Sequence, residues 1–130
     1  MLGELETDAR IVVFDMEAGA GTLLRMEEGV ADVVLVVAEP SANSIEVARR
    51  LIEIASSRAR VIVLANKLRG PDDLVVIREA LGTQEYVEIP HDDAIDRADR
   101  GGLAPIDVDP DSPGVAVLRA LAERLTASQP

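Results

Sequence analysis

The residues best placed for chemistry lie in Arg10-Ile-Val-Val-Phe-Asp15 and the Met16-Glu17-Ala18-Gly19 that follows. An apolar run ending in Asp puts a carboxylate at the carboxyl edge of a sheet, where it can hold a hydrated magnesium ion. A Gly a few residues later can offer its backbone N–H to a terminal phosphate. The positive half of such a site is a loop of the pattern G-x-x-x-x-G-K-[ST], whose amides and lysine cradle the phosphates. Nine residues precede Arg10, with one glycine among them, so that loop is not found upstream. The chain reads as half of a nucleotide switch in which Asp15 and Gly19 face magnesium and phosphate. A plainer reading stands beside this one: Asp15 caps the following turn, and Gly19 supplies its positive φ.

The elements that must position these residues alternate between strand and helix patterns, which signals βα units and a mainly parallel sheet flanked by helices. Ile11 to Phe14, Val33 to Ala38 and Val61 to Ala65 are continuous apolar runs, as expected of strands buried on both faces. Between the second and third, Ile45, Ala48, Leu51, Ile52 and Ala55 recur at helical spacing, with Ser41 or Ser44 as cap. Gly70-Pro71-Asp72-Asp73 starts the next helix and Gly82 stops it. Glu85 to Pro90 alternates and ends at Pro, so it is expected nearer a sheet edge. Asp92 can cap a short helix to Arg100, Pro105 to Pro113 reads as an acidic loop, and Val115 to Leu125 as a final helix. Met1 to Ala9 is amphipathic at best, with Leu2 and Leu5 suited to the last turn of a helix; a chain opening that way looks truncated. Thr126 to Pro130 is expected to fray.

Composition narrows the function classes. The 130 residues suit one domain, read here as a single partial domain over 1–130. Apolar residues are 48% but aromatics only 2%, so the core must be Val, Leu, Ile and Ala. With 13 basic residues scattered among 24 acidic ones and a net charge of −11, no basic stripe exists for nucleic acid. The final helix mixes Arg119, Glu123 and Arg124 on its polar face, unlike a membrane-surface helix. No apolar run approaches the roughly 18 residues of a membrane span, and a cytoplasmic protein is expected. Cysteine is absent, which excludes disulfides and thiolate metal sites within the chain. His91 is the one histidine, and one ligand does not make a metal centre, so no metal site beyond the magnesium carboxylate is expected. Asp107, Asp109 and Asp111 read as a solvated charge run.

The combination Asp15-Met-Glu-Ala-Gly19, Arg25, Val33-Val-Leu-Val-Val-Ala-Glu39-Pro-Ser, Ser44, Ala48-Arg49-Arg50, Val63-Leu-Ala-Asn66-Lys67, Ile89-Pro90-His-Asp92 and Ala98-Asp-Arg-Gly101 resembles the CooC family of nickel-insertion ATPases. That family sits with MinD, ParA and the nitrogenase iron protein in the dimerising SIMIBI class of P-loop NTPases. The resemblance covers nearly the whole chain but maps onto only the C-terminal half of a family member.

The resemblance implies roles for single positions. Asp15 would hold magnesium through water, and Gly19 would sense the γ-phosphate and act as the switch II hinge. Asn66 would contact adenine, its amide supplying both a donor and an acceptor; its plain alternative is a cap on the loop ending the third strand. Lys67 would lay its stem over base or ribose, against the alternative of an exposed lysine. Pro90 and Asp92 would border the base, against the alternative of a helix N-cap at Asp92. ATP and Mg2+ are the implied cofactors, only once a P-loop completes the site, so hydrolysis by this chain alone is not expected. In the family the P-loop strand lies between the strand ending at Asp15 and Val33 to Ala38. Its loss implies open edges, hence a homodimer or a P-loop-bearing partner chain, with a metalloenzyme as client. The alternatives are a non-catalytic dimerising module or gene remnant, and a receiver-like domain. The last is disfavoured because the third strand ends in Asn66-Lys67, where a receiver places its phosphoacceptor Asp.

Overall fold

Ser41 sits in extended backbone just before a run of helix formers, and its side chain accepts the Ser44 N–H at 3.3 Å. A serine oxygen there satisfies one of the orphan donors of a first helical turn, so the helix starts where the pattern places it. The structure is a computed structural model that describes residues 10–16 and 20–127. In chain order its elements are α1 (Ala20–Arg25), β1 (Val33–Ala38), α2 (Ala42–Ala55), β2 (Arg60–Leu68), α3 (Pro71–Leu81), β3 (Glu85–Pro90), α4 (Asp93–Gly101), α5 (Pro105–Val108) and α6 (Pro113–Ala127). α3 has Pro71 at its first position, and Asp73 reaches back to accept the Arg69 N–H at 2.8 Å. α4 stops at Gly102, whose left-handed φ of 64° suits glycine.

The strands form one parallel sheet in the order β1-β2-β3. Strand alternation divides the side chains between two layers. Val36 and Ala38 of β1 and Val63 and Ala65 of β2 pack with Ala48 and Ile52 of α2 and Ile77 and Leu81 of α3. On the other face Ile62, Leu64, Val87 and Ile89 meet Leu121 of α6. Glu85 ties this layer at its rim, bonding Arg60 of β2 at 2.7 Å and Arg124 of α6 at 2.8 Å. Leu23 is buried in α1, which packs on α2.

The sequence expectations are corrected in four places. Ile11 to Phe14 is not a strand; its side chains are exposed, Val13 by 85%. A strand exists only by hydrogen bonding to a neighbour, and among the described residues the sheet closes at three members. Val33 to Ala38 is a strand, but not one buried on both faces. Leu35 and Val37, in register with Ile62 and Leu64, remain 39% and 50% exposed because α6 packs on β3. The third apolar run continues as strand through Asn66, Lys67 and Leu68. The Pro105 to Pro113 segment contains the short helix α5, started by Pro at its first turn. Helix α1 was not foreseen. Met1 to Ala9, Glu17 to Gly19 and the last three residues lie outside the described residues, and with them the expectation for Gly19.

Candidate functional site

All three strands run the same way, so their carboxyl ends share one edge of the sheet, the position where open α/β sheets hold their ligands. Glu39 follows β1, Asn66 to Leu68 close β2, and Pro90, His91 and Asp92 follow one another at the end of β3. Between the pairs Ala65↔Glu88 and Leu68↔Pro90, β2 advances three residues while β3 advances two. One extra residue is therefore inserted at Asn66-Lys67, a β-bulge of the kind that re-aims side chains beside active sites. The His91 N–H then donates to the Leu68 carbonyl at 2.8 Å and locks the two strand ends together.

Lys67 carries the backbone consequence. Its φ is +58°, the one positive value at a non-glycine residue among those described, a conformation that costs a side-chain-bearing residue about 1 kcal/mol or more. The bulge turns its ammonium to Glu39 at 3.0 Å. That carboxylate, first by hydrogen bond and then by charge, raises the Lys67 pKa, with Asp96 and Asp99 adding to it. Glu39 is itself placed by its N–H, which donates to Ser44 Oγ at 2.8 Å. Replacing Lys67 by glycine is expected to stabilise the fold by about 1 kcal/mol, because the strain disappears while the exposed ion pair lost with it is worth less. Urea unfolding checks this; a destabilised Lys67→Gly variant would show that the lysine is held by more than Glu39.

Asp92 is the best-anchored acid of the edge. It is the N-cap of α4, accepting the Ala94 N–H at 2.9 Å, and its second oxygen accepts the Gly114 N–H at the start of α6 at 2.8 Å. Burial pushes its carboxyl up, but the N–H groups of Gly114, Ala94 and Ile95 outweigh that and hold it below the usual carboxylate range. The Ser112 hydroxyl, 3% exposed, is near enough to add to this effect, although it makes no hydrogen bond of good geometry. Both Asp92 oxygens are thus committed to helix starts, which matches the N-cap alternative at this position.

The structure brings Asn66, Lys67, Pro90 and Asp92 to neighbouring strand ends. Asn66 and Pro90 are half-buried, and Lys67 is exposed. Asp15 is exposed in the irregular segment 10–16, and among the described residues no hydrogen bond joins it to the other four. Beside the edge, Leu68, Arg69, Gly70, Pro71, Leu74, Glu88 and Pro90 line an open hollow of about 270 Å³. That is slightly below the roughly 300 Å³ at which ligand pockets begin. Sequence reasoning missed Glu39 and Ser44 as positioning residues. Both stand in the motif set quoted from the sequence, Ser44 there as a cap candidate, but no local signal pointed to their holding Lys67.

Comparison with known proteins bears on the family and the fold. The chain is 31% identical over 123 residues, 91% of its length, to the carbon monoxide dehydrogenase accessory protein CooC of Rhodospirillum rubrum, and covers 47% of that protein. It is 30% identical over 104 residues, 76% of its length, to an uncharacterized ATP-binding protein of Methanocaldococcus jannaschii, covering 40% of it. The chain thus spans less than half the length of both curated relatives. Among solved structures it is similar to the MinD cell division protein of Aquifex aeolicus, with a TM-score of 0.58 and 24% identity over 78% of this chain and 46% of that one, a likeness that shows the fold. No protein-family model matches.

Proposed function

Starting from a chain that is a CooC/MinD-like ATPase relative corresponding to the C-terminal half of such a protein, we propose that it supplies the adenine-side loops and the switch II residues of an ATP site. A Walker A half, on the same or a second polypeptide, completes that site. The observation that carries this reading is the sequence match to CooC along nine-tenths of the chain. The convergence of Asn66, Lys67 and Pro90 on one sheet edge supports it.

In this reading Asn66 pairs with the base, and the Lys67 stem and Pro90 flank it. Asp92 holds the two helix starts that frame the loop. Asp15 orients magnesium through water and Gly19 follows the γ-phosphate. MgATP supplies the transferable phosphoryl group when bound, and the chain's own part is to position it and to respond to it. Among the described residues β1 is an edge strand, and that edge, with Leu35, Val37 and the apolar side chains of Ile11 to Phe14 exposed nearby, suits pairing with a further strand. That strand belongs to the Walker A half or to a second copy. The work served is metallocentre maturation, by analogy with the accessory role named for CooC, and the setting is the cytoplasm. Residues 1–130 then form one partial domain.

A fusion of this chain behind the Walker A half of a CooC-like protein tests the reading. The fusion is expected to hydrolyse ATP, and Asp15→Ala to lower kcat about tenfold, as for a group that holds a metal through water. A folded fusion that binds and hydrolyses nothing would instead favour a non-catalytic dimerising module.

A further inference from the structure

His91 leaves β3 with its N–H fixed to the Leu68 carbonyl, and its ring is mostly covered, the side chain 22% exposed. The first turn of α4 then brings two carboxylates to the same ring nitrogen. His91 Nε2 lies 3.3 Å from Asp93 Oδ1 and 3.4 Å from Asp96 Oδ2, and the three residues offer donor atoms all within 4.8 Å of one another. We propose that His91, Asp93 and Asp96 form a binding site for a borderline divalent transition-metal ion of the Zn2+ or Co2+ type, separate from the magnesium carboxylate Asp15.

The distances suit a shared cation better than a short hydrogen bond. A charge-assisted N–H···O bond spans about 2.7–2.9 Å, and both His91 contacts are longer than that. Two donors each about 2.1 Å from one cation stand about 3.4 Å apart at the tetrahedral angle and about 3.0 Å at the octahedral one, which brackets both measured contacts. The helix dipole explains why acids begin α4, but it does not explain an imidazole placed between them.

Charge favours a cation here. Asp93 and Asp96 bring two negative charges, Asp92 caps the same helix and Asp99 lies one turn further on, while the Lys67 ammonium, on which Asp96 and Asp99 also act, is held by Glu39 at 3.0 Å. One imidazole with two carboxylates suits Zn2+ or Co2+ better than a softer or an all-oxygen ion. Three protein ligands leave further coordination positions to water, and Asp93, with its side chain 84% exposed, makes the site open and exchangeable.

Calorimetric titration of the metal-stripped chain with Zn2+ alone tests this, with Co2+ absorption and the ring signals of the single histidine as site-specific readouts. One equivalent should bind, shifting the His91 signals and giving a cobalt spectrum with a nitrogen ligand. His91→Ala, Asp96→Asn and Asp93→Asn should each weaken binding at least about tenfold, while Asp107→Asn, in the acidic segment elsewhere, leaves it unchanged. Asp93→Asn alters a solvent-facing side chain and keeps the test valid should another variant fold poorly. Absence of one-equivalent binding, unmoved His91 signals, or affinity unaffected by His91→Ala and Asp93→Asn overturns the proposal. No nucleotide enters the experiment, so its failure is distinct from any failure of the ATP reading.

Discussion

Ile77→Ala is expected to lower the stability of the fold by about 4 kcal/mol. Ile77 is fully buried in the layer where α2 and α3 meet the sheet, among Val36, Val63, Ala65, Ile52 and Leu81. Truncating such a side chain loses the transfer free energy of its carbons and leaves a cavity, which together cost about 2–5 kcal/mol. The site lies toward the high end, because strands on one side and two helices on the other hold the walls apart. A domain of this size holds about 5–15 kcal/mol in total, so the change takes a large share of it. The adjacent Val76, 49% exposed, is the control, and Val76→Ala should change stability by less than about 1 kcal/mol. Urea midpoints of the two variants check the pair; similar losses at both positions would mean that the α3 face is assigned wrongly.

Asp92→Ala should cost about 2 kcal/mol, the sum of two lost caps of about 1 kcal/mol each. One carboxylate satisfies the starts of both α4 and α6. The two helices approach closely beside this acid, since a Cβ placed at Gly114 would lie 2.7 Å from Ile95 Cδ1 and 3.0 Å from Asp92 Oδ2. The effect carries a pH signature. The folded Asp92 carboxyl titrates below its ordinary range, so its contribution is full above the unfolded pKa of about 4. It is lost as pH falls through the lower folded value. The gap between the wild-type chain and Asp92→Ala should therefore close in acid and stay constant above about pH 5. A gap that persists undiminished well below pH 3 would contradict the charged double cap.

Most of the scaffold was legible because local signals and packing agree. Ser41, Pro71, Gly82 and Gly102 each do at a helix end what their chemistry favours, β1 and β2 follow from runs of branched residues, and β3 follows from its alternation. The misreadings share one physical cause, since apolar periodicity reports what a residue can bury and not what lies opposite. Among the described residues Ile11 to Phe14 reads as a strand but finds no sheet neighbour, and Leu35 and Val37 read as buried but have no helix over them. The bulge at Asn66-Lys67 depends on the relative advance of two strands, which no single run of residues encodes. The same holds for the approach of Asp93 and Asp96 to His91: the residues are close in sequence, but only the seating of α4 against the end of β3 turns their donor atoms together. At the candidate site, the roles of Asn66, Lys67, Pro90 and Asp92 followed from the resemblance, whereas Glu39 and Ser44 stood in the same motif with no role in holding Lys67.

The most direct measurement of the central proposal is a titration with a fluorescent ATP analogue and Mg2+, made on this chain alone and on the chain with a Walker A half supplied. The proposal predicts no saturable binding to the chain alone, saturable binding once the Walker A half is present, and an affinity at least about tenfold weaker with Asn66→Ala, whose amide contacts would be lost in a desolvated site. Saturable binding by the chain alone that disappears in both Asp15→Ala and Asn66→Ala would contradict it, since the pocket would then be complete without a phosphate loop.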